Sequence, residues 1–419
     1  MKKIYFIKRS TLPILWLMGS VVFGQVQFKK LTEFGTPILD INNHGQGIHG
    51  NGYYDFETNT SSFTEDNVIE TNAINNAGQV IGFIDDGAGS YLPALKTGGV
   101  WTALINIDHS ISYTFYGLSE NGKYAIGQTA DDQTFEYWPF IYNIETQTMT
   151  VISSDLYEYG AGYAINNEGV GVGWLDDLPI GTVRMPAYFT EDGNITLIQT
   201  DYGEAHYIND NHQIVGNYGE HAFIFNKETN DFQSFSPIGD YDNAAFTGIS
   251  DNGIAVGYSE IFVEGEGFMR FPIIYHNELG NEIQMLADVL AGFDIDVTDL
   301  DGQGGRISSD GNYIGGWTSG PAFFAMGWAV NFDNQLLGTK DLFAHSFSYY
   351  PNPVNDVLNI STQKTIQNVA IFNLAGQQLV DQSKLSNGQI DVSSLSSGVY
   401  AFKVTLEGGE VKSFKIVKK

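Results

Sequence analysis

The chain has 419 residues, 48 glycines, no cysteine and a formal net charge of −29 at pH 7, which excludes disulfides, thiolate metal sites and a cysteine nucleophile. A hydrophobic fraction of 42% is enough to build a packed core and excludes a disordered chain. Between residues 25 and 346, nine basic residues accompany 44 acidic ones, and a surface of that charge repels nucleic acid.

The first 24 residues have the layout of a secretory signal. A basic start is followed by a short apolar run and by small residues, and cleavage is expected after Gly24. A retained membrane anchor is the alternative, but the run is short and Pro13 interrupts it. No other stretch is apolar enough to span a bilayer, so no transmembrane span is expected once the signal is removed.

An eleven-residue phrase recurs seven times between residues 40 and 316, as in AINNAGQVIGF at 73–83 and AINNEGVGVGW at 164–174. Asparagine side chains cap local turns, and glycine takes a positive φ where a Cβ would clash. Each copy therefore predicts a turn between two short strands. The predicted turn glycines are Gly45, Gly78, Gly122, Gly169, Gly253 and Gly311, with His212 in the fifth copy's place.

A second strand pair follows most copies, as in PFIYNIETQTMTVI at 139–152. Two hairpins in a period of about 44 residues predict a four-stranded β-propeller blade. We therefore expect an all-β propeller over residues 25–340, with about seven blades, or six if the short first unit is incomplete. Pairing of residues 26–31 with residues 325–332 would close the ring. A β-solenoid is the alternative, although its rungs are normally shorter.

The repeats resemble extracellular repeats named for a His-Ala-Phe motif (HAF repeats). The form INNxGxxxG occurs at 74–82 and 165–173, and His221-Ala222-Phe223 supplies the triplet once. The resemblance covers about residues 38–332, and in other copies Pro-Ala or Pro-Phe replaces His-Ala. It implies an exported repeat protein and supplies no catalytic residues.

After a linker at 341–346, the composition changes at Phe347 and lysine replaces the acidic excess. Apolar Phe402, Val404 and Leu406 alternate with polar residues, which is typical of a strand with one buried face. Several such strands between glycine and asparagine turns predict a small β-sandwich over residues 347–419.

This segment closely resembles the type A C-terminal sorting domain of the type IX secretion system of Bacteroidota. The resemblance implies passage through the outer-membrane translocon, with which this domain interacts. It also implies removal of the domain and a secreted or surface-attached product. An ordinary accessory sandwich is the alternative. The positions that carry the sorting signal are Tyr350, Pro351, Asn352, Pro353, Gly376, Gly398, Tyr400 and Lys418.

Acidic residues supply the remaining candidate sites. The pairs Asp85-Asp86, Asp131-Asp132 and Asp176-Asp177 follow the repeat glycines and either line one rim or only form turns. A calcium site is a second candidate, since hard oxygen ligands suit Ca²⁺. Its ligands would be Asp294, Asp296, Asp299 and Asp301.

No catalytic motif is present, so the leading hypothesis is a non-catalytic propeller that binds an extracellular glycan or protein. A carbohydrate hydrolase or lyase is the alternative. Two or three acids converging in one pocket with shifted pKa values would favour the enzyme. Rim aromatics would favour sugar stacking, with core packing as their other role. The candidates are Tyr91, Trp138, Trp174 and Trp317.

Overall fold

The computed structural model describes residues 25–419 with short gaps, so the expected signal at 1–24 and the linker at 341–346 lie outside the described residues. The gaps are residues 34, 105–111, 131–135, 178–182, 266, 281, 298–299, 319–324, 337–347, 363–364, 374–375, 383–387 and 408–410.

Seven four-stranded antiparallel sheets follow one another along the chain, and in the first six all four strands are consecutive. The first strands are β2 (Asp40–Ile41), β6 (Val68–Ile74), β10 (Ser112–Leu118), β14 (Tyr157–Ile165), β18 (Gly203–Ile208), β22 (Asn243–Ile249) and β26 (Gln303–Ile307). The second strands are β3 (Gln46–His49), β7 (Val80–Asp85), β11 (Tyr124–Ala130), β15 (Gly171–Asp177), β19 (Gln213–Tyr218), β23 (Ala255–Val263) and β27 (Tyr313–Trp317).

The outer strands complete each sheet. The third strands are β4 (Gly52–Asp55), β8 (Tyr91–Thr97), β12 (Tyr137–Asn143), β16 (Arg184–Phe189), β20 (His221–Asn226), β24 (Gly267–Tyr275) and β28 (Gly327–Asn331). The fourth strands of the first six sheets are β5 (Thr60–Phe63), β9 (Val100–Ala103), β13 (Thr148–Val151), β17 (Ile195–Leu197), β21 (Asp231–Phe235) and β25 (Gln284–Met285).

The sheets form a closed ring. Each first strand contacts the first strand of the next sheet, from β2 through to β26, and β26 contacts β2 again. The seventh sheet takes its outermost strand from the other end of the chain, because β1 (Gln27–Lys30) pairs antiparallel with β28. The predicted propeller and its predicted closure are therefore confirmed, with seven blades, which we number in chain order from β2.

Aromatic side chains fill the space between blades. Between blades 2 and 3, Phe115 is fully buried and meets Phe140 edge to face, with ring centroids 4.9 Å apart. Burying a side chain of this size is worth about 2–3 kcal/mol. Because every blade contributes such residues, the core runs around the ring.

One element departs from the predicted all-β pattern. The sequence PIIYHNELGNEIQML at 272–286 suggests a strand pair, but the second strand, β25, has only two residues. Helix α1 (Leu286–Ala291) follows at once and buries Leu286, Val289 and Leu290. These three positions share one face of a helix, so burial of that face selects the helix over a longer strand.

The C-terminal residues form a small β-sandwich, as predicted. Its three-stranded sheet contains β29 (Ser348–Tyr350), β30 (Val357–Ser361) and β33 (Gln389–Asp391). Its four-stranded sheet contains β31 (Ile366–Asn373), β32 (Gln378–Gln382), β34 (Gly398–Leu406) and β35 (Val411–Lys418). The predicted alternation in β34 is observed, since Phe402, Val404 and Leu406 are buried between the sheets.

The sandwich packs against blade 6. Val399 and Val417 of the sandwich share an apolar cluster with Tyr241, Ile261 and Phe271 of the propeller, and all five are at most 6% exposed. The two domains thus bury apolar side chains against each other.

Candidate functional site

The first asparagine of the repeated phrase holds both its own turn and the next blade. The Asn75 Oδ1 atom accepts hydrogen bonds from the backbone N–H groups of Ala77 at 3.1 Å and Gln79 at 2.9 Å. Its Nδ2 atom donates to the carbonyl oxygen of Ser119 in blade 3, at 3.4 Å. A side chain that both accepts and donates is needed for this, which explains why asparagine recurs here.

The second asparagine position of the phrase, two residues before the turn glycine, forms a ring of hydrogen bonds around the propeller axis, which we call the turn ring. In most blades its backbone N–H donates to the matching side chain of the following blade: Asn43 to Asn76, Asn76 to Glu120 (both 2.8 Å), Asn167 to Asp210 at 2.9 Å, and Asp210 to Asp251 at 3.1 Å. Neighbouring atoms make the other three links: Asn121 N to Asn167 Oδ1, Asp251 N to the Ser309 carbonyl, and Asp310 N to Asn43 Oδ1. The members of the turn ring are Asn43, Asn76, Glu120, Asn167, Asp210, Asp251 and Ser309.

Carboxyl groups in this region have raised pKa values. Burial raises the pKa of Glu120 to about 8, and the nearby charges of Asp40, Asp210 and Asp251 add to the rise. Burial also raises the pKa of Asp40 to about 6, against the attraction of Arg306. Acids therefore do converge at the axis. Glu120, Asp210 and Asp251 each accept a backbone N–H of the preceding blade, which is a structural role.

Residues 25–419 contain three arginines, and two of them form matching units towards the end of the blades opposite the turn ring. In the first unit, the Arg184 guanidinium lies over the ring of Trp174, 4.2 Å from its centroid, and contacts Glu204 of blade 5 at 2.5 Å. The Arg184 side chain is 45% exposed, whereas that of Glu204 is only 14% exposed. The arginine therefore covers the carboxylate.

The second unit repeats this design two blades further on. The Arg270 guanidinium lies 4.1 Å from the centroid of the Tyr258 ring, and its Nε atom is 2.6 Å from Glu260. It also donates to Gln303 Oε1 in blade 7 at 2.5 Å. In both units the aromatic residue is the last letter of the repeated phrase, and the arginine lies on the facing third strand.

A β-bulge supplies further polar groups between these units. The inner strands of blades 2 to 7 shift register at matching positions, and the bulge residue is Tyr163 in blade 4 and His206 in blade 5. The Tyr163 hydroxyl accepts from Trp174 Nε1 at 2.8 Å and donates to Glu204 at 3.1 Å. Burial lowers the pKa of His206, and the positive charges of Arg306 and Arg270 lower it further, so this ring is neutral at pH 7.

We call this group the arginine mouth. Sequence reasoning missed it, apart from the aromatic candidate Trp174, because the bulge and the pairing between blades are not visible in a single copy of the repeat. The rarity of arginine after residue 24, where only Arg306 joins Arg184 and Arg270, is the one signal that could have indicated it. The members of the arginine mouth are Tyr163, Trp174, Arg184, Glu204, His206, Tyr258, Glu260, Arg270 and Gln303.

The predicted turn positions share one backbone conformation. All six turn glycines have a positive φ, between 69° and 86°. His212, which takes the glycine's place in the fifth copy, also has a positive φ, of 59°. Its ring compensates by contacting Asn166 and Glu168 of blade 4, at 3.4 and 3.3 Å.

The predicted calcium ligands are divided among several roles. Asp294 and Asp296 line a cavity between the two domains, whereas Asp301 lies 3.8 Å from Lys415 of the sorting domain. Asp299 lies outside the described residues. Among the residues that the structure describes, no group of three His, Asp or Glu side chains is placed to hold a metal ion. The calcium site stays a prediction.

The three predicted Asp-Asp pairs also differ in position and role. Asp85 and Asp86 accept hydrogen bonds from the backbone of their own loop, at 2.8 Å from Gly87 and 2.7 Å from Ala88, which is a turn-forming role. Asp176 is buried, and Asp131-Asp132 lies outside the described residues.

The aromatic candidates differ in exposure. Tyr91 is 63% exposed, whereas Trp174 is 6% exposed. Trp138 and Trp317 are half-buried. Of these four, Trp174 is the one that carries an arginine on its ring face.

The residues of the predicted sorting signal fix the ends of the sandwich strands. Asn352 donates to the Lys415 carbonyl at 3.1 Å and accepts from the Val417 N–H at 2.8 Å, which ties the segment containing Pro351 and Pro353 to β35. Tyr400 is buried and donates to the Ser396 carbonyl at 2.8 Å. Tyr350 belongs to β29, Gly376 has a φ of 75°, and Gly398 pairs with Lys418 at the ends of β34 and β35.

Comparison with known proteins agrees with this part of the fold. Residues 348–419 match the family described as "Secretion system C-terminal sorting domain". The C-terminal domain is a type IX sorting domain. The chain is therefore exported across the outer membrane, to the cell surface or the medium. The described part of the chain contains no helix with the length and apolarity needed to cross a bilayer.

One curated relative is Beta-agarase D of Zobellia galactanivorans, which is 38% identical over 68 residues. The match takes in 16% of this chain and 14% of the agarase, so the chain spans about a seventh of that relative.

Solved structures with a similar fold include two propellers. An oligogalacturonate lyase from Vibrio parahaemolyticus has a TM-score of 0.47 at 11% identity, covering 74% of this chain and 98% of the lyase. The β-propeller domain of the Trilobed protease from Pyrococcus furiosus has a TM-score of 0.46 at 10% identity, and the match covers 72% of this chain and 94% of that chain. At these values the likeness carries no information about function.

Proposed function

We propose that the protein is an exported, non-catalytic binding protein and that the arginine mouth holds an extracellular glycan. The proposal rests on one observation: two units of matching design place an aromatic ring, a guanidinium and a carboxylate side by side at the same end of the blades. We also propose that the propeller blades are HAF repeats.

The chemistry of the two units suits a sugar. A guanidinium is a planar donor that forms paired hydrogen bonds, and a carboxylate accepts hydrogen bonds from hydroxyls. The aromatic rings lie under the guanidinium groups, at 4.2 Å in Trp174 and 4.1 Å in Tyr258, and fix the direction of these donors by cation–π contact. A small number of convergent polar groups next to aromatic walls is typical of ligand sites.

The ion pairs favour binding over catalysis. Glu204 and Glu260 are both mostly covered and are held by Arg184 and Arg270 at 2.5 and 2.6 Å. A general acid or base must reach the bond that it acts on, and a carboxylate covered by its own arginine is better suited to fixing the arginine in place.

The test is a glycan-array screen of the full chain, followed by calorimetric titration of the glycans that bind. Arg184→Gln and Arg270→Gln each keep a polar side chain but remove the paired donors. We expect either change to weaken binding at least tenfold, whereas Lys227→Gln, on an exposed turn elsewhere in blade 5, leaves it unchanged. Equal affinity in the wild type and both arginine variants would refute the proposed site.

A carbohydrate hydrolase or lyase is the second candidate, and the convergence of Glu120 and Asp251, whose pKa values are raised by burial and by the neighbouring charge of Asp210, favours it. Turnover of the bound glycans is measured in the same samples. Turnover that is lost in Glu120→Gln, while glycan affinity is kept, would establish the enzyme in place of the binding protein.

A further inference from the structure

A second candidate site lies between the propeller and the sorting domain and is separate from the arginine mouth. It is a cavity of about 280 Å³, with walls from α1 and β24 of blade 6 and from β29 and β35 of the sandwich. A cavity of roughly 150 Å³ is enough to hold benzene, so this one has room for a six-carbon ligand. We propose that it binds a small organic ammonium ion whose apolar body is enclosed by both domains.

The walls supply the apolar half of the site. Phe271, Met285 and Leu300 line it from the propeller, and Tyr349 and Phe414 line it from the sorting domain. The rings of Tyr349 and Phe414 are stacked, with centroids 4.0 Å apart. Stacking fixes the two rings as one flat apolar wall, against which an alkyl or aryl group can pack.

The polar half of the site consists of two groups without partners in the described part of the chain. The Tyr241 hydroxyl is fully covered, although its side chain lines the cavity, and it makes no hydrogen bond there. Leaving such a group unsatisfied costs about 1–3 kcal/mol. Asp288 of α1 also lines the cavity, and its carboxyl group has neither a hydrogen bond nor an ion pair within the described residues.

The surroundings of Asp288 favour a cationic ligand. Its carboxyl is accessible from the cavity, yet enough protein surrounds it to raise its pKa to about 6, and burial is the only cause. The charge of Asp288 also raises the pKa values of Tyr241 and Tyr349, after burial, so the three groups face one another. An ammonium group would donate to the carboxylate, and a small rotation that uncovers the tyrosine oxygen would let this oxygen accept a second N–H.

The remaining charges at the cavity wall do not reverse this preference. Asp294 and Asp296 add two carboxylates, and Lys412 and Lys415 add two ammonium groups. Lys415 already lies 3.8 Å from Asp301. With Asp288 included, carboxylates outnumber lysines along the wall, which favours a cation over an anion.

The contact between the domains is formed well enough to enclose a ligand. Beyond the shared apolar cluster, the Lys419 ammonium donates to the Asp240 carbonyl at 2.5 Å. A ligand that touches both domains stabilises their contact by mass action. Binding is therefore expected to slow proteolytic release of the sorting domain.

The experiment titrates the full chain with hexylammonium by calorimetry, with hexan-1-ol and hexanoate as neutral and anionic probes of the same length. We expect saturable binding of one hexylammonium per chain, at least tenfold tighter than hexan-1-ol, and no binding of hexanoate. Asp288→Asn should remove the preference for the cation, and Tyr241→Phe should weaken hexylammonium binding several-fold.

Glu264→Gln is the matched control, because Glu264 is an exposed acid at the tip of the same blade. Near-UV circular dichroism of each variant confirms that its core is intact. Equal affinity for the alcohol and the ammonium ion, or an unchanged affinity in Asp288→Asn, would overturn the proposal. If the cavity holds only water, calorimetry would detect no saturable binding of any of the three probes. This result would overturn the proposal as well.

Discussion

The backbone N–H of Asn76 donates to the Glu120 carboxylate at 2.8 Å, and this contact joins blades 2 and 3 at the axis. Both residues lie two places before the turn glycine of their copies of the phrase. A neutral amide in one blade and a carboxyl in the next thus perform the same task, but only the carboxyl titrates.

Replacing Glu120 by glutamine is expected to remove a pH dependence of stability. The pKa of Glu120 in the folded protein, about 8, lies above the ordinary glutamate value of 4.5, so its stabilising contribution is full below pH 4.5 and is lost as the pH rises through 8. Glutamine keeps an acceptor for the Asn76 N–H and stays neutral. Urea titrations at pH 5 and pH 9 measure the free energy of unfolding. Between these two pH values the wild type should lose on the order of 1–3 kcal/mol more of this free energy than the variant.

The control for this prediction is Glu145→Gln, which removes an exposed carboxylate that lies 3.8 Å from Lys123. Its pH profile should follow that of the wild type. If Glu120→Gln also follows the wild type, the Glu120 carboxyl is ionised without cost in the folded state.

The serine copies of the phrase predict a rescue. In two of the three copies where serine replaces the first asparagine, an asparagine two places later takes over the link between blades: Asn121 donates to the Asn167 carbonyl at 3.1 Å, and Asn252 donates to that of Asp310 at 3.0 Å. Asn75→Ser should therefore lower the free energy of unfolding by about 1 kcal/mol, because the hydrogen bond to blade 3 is lost. Adding Ala77→Asn should restore most of it.

Chemical denaturation of the single and double variants measures this rescue. Asn75→Ala removes the turn acceptor as well, so it should cost more than Asn75→Ser. A double variant no more stable than Asn75→Ser alone would show that the two positions do not substitute for each other.

Closure of the ring predicts an unequal response of two outermost strands. Phe28 of β1 stacks with Trp328 of β28, with centroids 6.3 Å apart, whereas Val100 of β9 is 65% exposed. Phe28→Ala should lower the free energy of unfolding by about 1–3 kcal/mol, and Val100→Ala should change it by less than about 0.5 kcal/mol. Thermal unfolding of both variants provides the measurement, and equal losses would argue against closure by β1.

The contact between domains predicts coupled unfolding. Val399 and Val417 belong to the apolar cluster with blade 6 and not to the core of the sandwich. The double change to alanine should therefore loosen the contact while the sandwich stays folded. We expect the calorimetric unfolding peak of the full chain to separate into two, and the exposed Val357→Ala to leave it unchanged. A single peak in the double variant would mean that these valines do not couple the domains.

The sequence predicts the blades well because each one is specified locally. Asn75 and Gly78 bring their strands together within one hairpin, and the pattern is repeated seven times. The arginine mouth is different, because Arg184 meets Glu204 only after the ring has placed neighbouring blades side by side. A single copy of the repeated phrase predicts neither the register of the bulges nor the contacts between blades.

The helix and the cavity between domains were unpredictable for a related reason. Leu286 and Leu290 lie in a short apolar run that fits a strand end as well as a helix, and only burial of one face selects the helix. Asp288 appears in the sequence as one acid among many. Its significance comes from Tyr349, which lies 61 residues further along the chain and in the other domain.

The place of β28 within blade 7 has a mechanical consequence. The strand that leads towards the sorting domain is not at the sheet edge, because β27 pairs with it on one side and β1 on the other. A pull on the tail of the protein therefore loads two ladders of hydrogen bonds at once and cannot strip a single outer strand. Force applied to the C-terminal domain would therefore move the propeller as one folded unit before it could unfold a blade.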